Sequence, residues 1–293
     1  MAPAATQAVG TTTADAASPV TYLSGRRHRG PLVVQRAFHP EGRGVPHVYV
    51  LHPPGGIVGG DRLHLEVDLQ PGAQALLTTP AATKVYRTAG ARSLQHQTFR
   101  VGAGAGLEWL PSETILHDGA AIDLRTAVHL TEDARFIGVE MLCFGLPARR
   151  ADAASGAGGF EQGRCRQQLD LWRGGRPLLL ERGRYDGAAA VHRAAWGLAE
   201  APIVAMLVAT PAPIDAELLG RLRPADGGDA GRAGEGRRAE RMGVTRLADT
   251  DTLVARYVGS SPERARAFLH GIWAQLRPVV MRRPPVFPRI WAT

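Results

Sequence analysis

The feature that most restricts the fold of this chain is a strand–turn–strand pattern that recurs along its first two thirds. Leu69-Gln-Pro-Gly-Ala-Gln-Ala, Val101-Gly-Ala-Gly-Ala-Gly-Leu and Leu130-Thr-Glu-Asp-Ala-Arg-Phe superpose turn on turn, and Leu171-Trp-Arg-Gly-Gly-Arg-Pro is a looser fourth copy. Their starts lie 101 − 69 = 32, 130 − 101 = 29 and 171 − 130 = 41 residues apart. Around the turns the chain alternates. Leu63, Leu65, Val67 and Leu69 interleave with His64, Glu66 and Asp68; Ile122, Leu124, Val128 and Leu130 share one face, opposite Asp123, Arg125 and His129; Cys165, Gln167, Leu169 and Leu171 make a third such run. Period two means strands with one buried face, and the glycine, proline and aspartate between the runs supply turn chemistry. A strand pair that returns at such an interval buries its apolar face against the next copy. The pattern therefore predicts a mainly β fold of stacked, solenoid-like strand–turn–strand repeats. A β-sandwich produces much the same alternation and stays open as an alternative.

The period changes near the C-terminus. Ser261-Pro262-Glu263 combines a capping hydroxyl, proline at the first helical position and an early acid. Ala265, Phe268, Leu269, Ile272, Trp273 and Leu276 then follow helical spacing up to Pro278, which is expected to end the helix. The aromatic-rich face should pack on the sheet. Ala201–Ala209 is apolar and compatible with a buried strand or a helix. The chain reads as a disordered N-terminal tail at 1–19 and a single domain at 20–293, with a flexible loop at 224–240 and a small-residue stretch at Ala151–Gly159.

Composition removes several classes. No run approaches the roughly 18 apolar residues of a membrane helix, and the N-terminus lacks a basic start and an apolar stretch, so a cytoplasmic protein is expected. Net charge is +8, and Lys84 is the only lysine among 35 basic residues. The arginines are scattered without interleaved aromatics, which argues against nucleic acid and leaves acidic protein partners. Cys143 and Cys165 can build no disulfide framework and lack the close partners of a metal site, so both read as buried small side chains.

Catalytic signatures fail one by one. His52-Pro-Pro-Gly-Gly-Ile-Val-Gly-Gly-Asp61 lacks the Gly-Lys-Ser/Thr ending of a phosphate cradle and runs into a strand. Gly102, Gly104 and Gly106 miss the dinucleotide spacing. There is no His-Glu-x-x-His and no Gly-x-Ser-x-Gly. A hydrolase assembled from scattered histidines and carboxylates is the enzyme-class alternative. What stands out instead is acids within apolar strand sequence: Asp61, Glu108, Glu113, Glu140 and Glu181. Glu140 shares a strand face with Phe136 and Leu142. It is either half of a buried ion pair with an arginine or part of a hydrated passage lined by carboxylates that a cation could visit. Asp61 either joins that passage or caps the Gly59-Gly60 turn.

The string Leu51–Asp61, with Ala75-Leu-Leu-Thr-Thr-Pro80, Thr83-Lys-Val-Tyr-Arg87, Leu107-Glu-Trp-Leu-Pro-Ser-Glu-Thr-Ile115 and Pro288-Arg-Ile-Trp-Ala-Thr293, closely resembles the UreD/UreH family of urease accessory proteins. The chain departs from that family's pattern at Val139 and Leu146. The resemblance implies a non-enzymatic scaffold that assists nickel insertion into urease. Its implied partners are a UreF-like protein, a UreG-like GTPase held through it, and the urease apoprotein. It implies no stably bound cofactor; Ni2+ would pass transiently, with Glu140, Asp61, Glu113 and Glu181 as candidate passage residues. A solenoid binding module without metal transfer is the alternative.

Overall fold

The computed structural model describes residues 10–12, 20–146, 159–224 and 240–292. Within the segment read as a tail, β1 (Gly10–Thr12) pairs antiparallel with β2 (Val20–Tyr22). The rest of that tail, residues 225–239 of the 224–240 loop and residues 151–158 lie outside the described residues.

Two sheets carry the molecule. The first has the order β14 (Arg176–Asp186), β13 (Arg164–Arg173), β11 (Ala121–Leu130), β8 (Ser93–Val101), β5 (Arg62–Leu69). The second runs β16 (Arg241–Leu247), β17 (Thr252–Gly259), β15 (Ile203–Thr210), β12 (Arg135–Phe144), β9 (Gly106–Trp109), β6 (Gln74–Thr78), β4 (His47–Leu51), β3 (Val33–Val34). Beside this path β10 (Thr114–Leu116) pairs with β12, and β7 (Thr83–Val85) pairs with β10.

Each of the first three repeat copies crosses from one sheet to the other, as β5–β6, β8–β9 and β11–β12. In the first sheet Leu69 stands opposite Val101, and Val101 opposite Leu130, in parallel ladders. The repeat is therefore a physical stack, and the fold is mainly β and solenoid-like. The fourth copy departs from this. Leu130 faces Arg173, two residues beyond the expected Leu171, and β14 returns antiparallel within the same sheet. The cause is Gly174-Gly175, with φ of +52° and +80°. Two positive-φ residues make the tight hairpin turn whose twist matches paired strands. An offset of two preserves face parity, so the alternation holds even where the turn changes kind.

The sheets bury their facing sides together: Val67, Phe99, Val128 and Leu171 from the first meet Leu77, Leu107 and Phe136 from the second. The outer face of the second sheet is covered by α2 (Pro262–Val280), which places Leu269, Ile272, Trp273 and Leu276 against Ile137, Val139, Leu207 and Ala255. Ser261 Oγ accepts from Arg264 N at 3.1 Å, the expected cap. Pro278 does not end the helix; it lies inside, and the helix closes at Val280. A proline so near the end removes one backbone bond but has little helix after it to disrupt. A shorter helix, α1 (Ala216–Leu222), is capped by Asp215 and packs beside β16. The Ile203–Thr210 stretch is strand: it pairs on both sides, with β12 and β17. Both cysteines are free and buried, and burial pushes the Cys143 thiol up to about 12.

Candidate functional site

Three stacked strands of the second sheet break at the same level. β4 stops before His52-Pro53, β6 before Thr79-Pro80 and β9 before Leu110-Pro111. Proline has no N–H to give to a ladder, so each coil leaves the sheet at this point. The chain rejoins at Ile57, which bridges to Val85, and in β7 and β10. The aligned breaks leave a cavity of about 320 Å³ between the sheets, walled by these segments. The glycine-rich motif forms one wall. A Cβ on Gly56 would lie 2.3 Å from the Tyr86 ring and 3.0 Å from the Lys84 carbonyl oxygen, so only glycine permits this approach.

The opposite wall is the inner face of the first sheet. There Gln95 and Gln97 on β8, Thr126 on β11 and Gln167 on β13 replace the aliphatic side chains found nearer the turns. Glu140 enters from β12, and the ladder explains its position. β9 pairs with β12 up to Gly138, and β10 pairs from Leu142. Residues 139–141 thus have no strand on that flank, and Glu140 faces the gap. Its Oε1 accepts from Thr126 Oγ1 at 2.6 Å and its Oε2 from Gln167 Nε2 at 2.5 Å. Gln97 Oε1 lies 3.4 Å from the same hydroxyl. Both donors to the carboxylate are neutral, so among the described residues the arginine ion pair left open by the sequence is not formed. Burial pushes the Glu140 carboxyl above its usual range, the two hydrogen bonds pull it back, and the Glu181 charge adds to the rise. His52 borders the same cavity, and burial lowers its pKa against the opposing charge of Asp61.

The other candidate residues lie elsewhere. Asp61 accepts from Val58 N at 2.9 Å and caps the glycine turn. Glu181 is clamped by both terminal nitrogens of Arg256, at 3.0 and 2.5 Å. Glu113 lies on the helix side of the second sheet, 3.7 Å from Arg266 of α2. Only Glu140 of the four lines the cavity. Among the described residues, no group of three or more His, Cys, Asp or Glu stands close enough to hold a metal ion.

Two features were not anticipated. The amides and hydroxyl around Glu140 occupy inward positions of alternating strands, and Thr126 is the one polar residue within the Ile122–Leu130 apolar face. That break in an apolar face is the available signal. The second feature is a buried charge network outside the cavity. Arg277 of α2, with no exposed surface, donates to both oxygens of Glu108 at 3.0 Å and to Glu41 Oε1 at 2.6 Å. Trp273 Nε1 donates to Glu108 Oε1 at 2.6 Å. Burial works against the Arg277 charge, but its bonds to Glu41 and Glu108 carry its pKa above the ordinary arginine value. Glu108 stood out as an acid in apolar strand sequence, but its pairing with a residue 277 − 108 = 169 positions away leaves no local trace.

Comparison with known proteins places this architecture. The family model for the UreD urease accessory protein matches residues 7–292. A urease accessory protein UreD from Azoarcus sp. strain BH72 is 47% identical over 276 residues, covering 93% of this chain and 89% of that protein. One from Dechloromonas aromatica is 41% identical over 279 residues, covering 93% and 90%. One from Nostoc sp. strain PCC 7120 is 40% identical over 273 residues, covering 93% and 91%. With the match running through nearly every described strand and through α2, the chain belongs to the UreD family of urease accessory proteins, and its role is in urease maturation rather than catalysis.

Proposed function

We propose that this chain assists nickel insertion into the urease active site as a cytoplasmic, non-catalytic scaffold whose interior cavity forms a stretch of the ion's route. It would do so in an assembly with a UreF-like protein, a UreG-like GTPase reached through that protein, and the urease apoprotein. The observation that carries the reading is Glu140, one carboxylate facing a cavity of about 320 Å³ with neutral amide and hydroxyl neighbours. Oxygen ligands suit a hard or borderline divalent ion only moderately, which is what transfer requires: the ion must enter and also leave. Holding nickel as cargo needs no closed ligand cage.

The test is Glu140→Gln, expressed with the urease subunits and the other accessory proteins. The variant is expected to fold and to co-purify with the UreF-like protein and apo-urease. The urease recovered should contain several-fold less nickel and show correspondingly lower activity. Urease loaded to the wild-type level would remove Glu140 from the route. Loss of the complex itself would mean that the residue serves assembly, and the chain would then stand as a binding module.

A further inference from the structure

The outer face of the first sheet, turned away from the cavity, carries an unbalanced cluster of arginines at the end where its parallel strands begin. A cleft of about 330 Å³ is lined there by Arg92, Arg164, Arg166 and Arg184, against Glu161 and Asp186. That is well above the roughly 10–15 Å³ that holds one water. Strand register explains the crowding. Arg166 stands directly opposite Arg184 across the antiparallel β13–β14 pair, and like charges in facing positions repel. On its other side Arg166 faces Asp123 of β11, which already binds Arg92 at 2.7 Å and lies 3.7 Å from Arg125. Asp186 is taken by Arg184 at 2.7 Å. Among the described residues neither Arg164 nor Arg166 makes a side-chain hydrogen bond or ion pair. Both are exposed on alternate positions of one strand, with buried Cys165 between them pointing inward.

We propose that this cleft is a docking site for an acidic, extended segment of a protein partner, distinct from the cavity and independent of the route assigned to nickel. Two unpaired guanidinium groups two residues apart on a strand present donors at the strand's period of roughly 6–7 Å. Carboxylates at alternate positions of an extended peptide have the same period. Guanidinium binds carboxylate through two parallel hydrogen bonds, so the arrangement selects planar anions in a row over a single point charge. The occupant also screens the repulsion between Arg166 and Arg184; the fold gives Arg184 a carboxylate partner in Asp186, and Arg166 none among the described residues. The net charge of +8 steers such a partner toward the protein at long range.

The test uses the full chain and a fluorescein-labelled peptide of four Asp-Ser repeats, with the Asn-Ser peptide as the neutral comparison, followed by anisotropy at about 150 mM salt. The wild-type chain is expected to bind the acidic peptide and not the neutral one. Arg164→Gln and Arg166→Gln together should weaken binding by about tenfold or more, the loss expected when a charge-assisted hydrogen bond is removed. Arg221→Gln, on an exposed face of α1, should leave it unchanged. Circular dichroism and thermal melts confirm folding, and Arg164→Gln alone serves if the double variant is unstable. Equal weakening by Arg221→Gln would show a diffuse charge effect and overturn the proposal. So would inorganic phosphate competing as well as the acidic peptide, which would mark a small-anion site only.

Discussion

Glu140 is held where its surroundings favour the neutral form, and this has a measurable consequence. A folded-state pKa above the unfolded one means that the native chain binds the proton more tightly than the unfolded chain does. Ionisation of Glu140 therefore costs no stability below the unfolded carboxylate range, near pH 4.3. The penalty grows as pH rises through the folded pKa and is complete above it. Glu140→Gln removes the titration while keeping the shape. Urea unfolding should show the variant more stable than wild type at pH 8, with the gap narrowing toward pH 5. A variant less stable at pH 8 would mean that the carboxylate is compensated by charge, as in a structural ion pair, where removing one partner costs about 3–5 kcal/mol. The contrast with Glu181 is instructive. Both were legible as acids in apolar strands, yet one is clamped by Arg256 and the other faces an open gap, because the flank of β12 has no strand between the end of β9 and the start of β10.

At the scale of elements, α2 is core rather than a free interface on its aromatic side. Trp273 has no exposed surface, packs with its indole against Phe287 and Trp291, and donates to Glu108. Trp273→Ala is expected to cost about 3–5 kcal/mol, from lost burial and the residual cavity, measured as a lower urea midpoint. Unchanged stability would contradict the packing of this helix. The helix start, its apolar stripe and its placement on the sheet were readable because capping and periodicity are local. Its end was not, since Pro278 acts on backbone bonds of the last turn, and neither was the burial of Arg277. An arginine at the end of an amphipathic helix reads as solvated unless the two acids that receive it, Glu41 and Glu108, are brought there by the fold.

For the whole molecule, the second sheet is the structural centre. β12 is paired over its length with β15, bears the inter-sheet core on one face and lies under α2 on the other. β14 pairs on one side only and is the most exposed of the long strands. Amide exchange should accordingly be slowest in β12 and β15 and markedly faster in β14. Protection in β14 equal to that in β12 would show that β14 is covered by something else. The stack of three crossing repeats closed by a hairpin also sets where the cavity can lie: between sheets, at the level of the broken strands, away from the turns. The alternating faces, the turn positions and the family strings of this chain are local patterns, so its sequence alone determined the mainly β class, the three strand–turn–strand copies, the C-terminal helix and the urease accessory family. The parallel ladders chose the solenoid-like stack over the sandwich. The cavity, the pairing of Glu140 with the neutral donors Thr126 and Gln167, the Arg277 network and the crowding of Arg166 against Arg184 were decided only by the tertiary structure. Each depends on register and on contacts between distant residues, which period and composition do not encode.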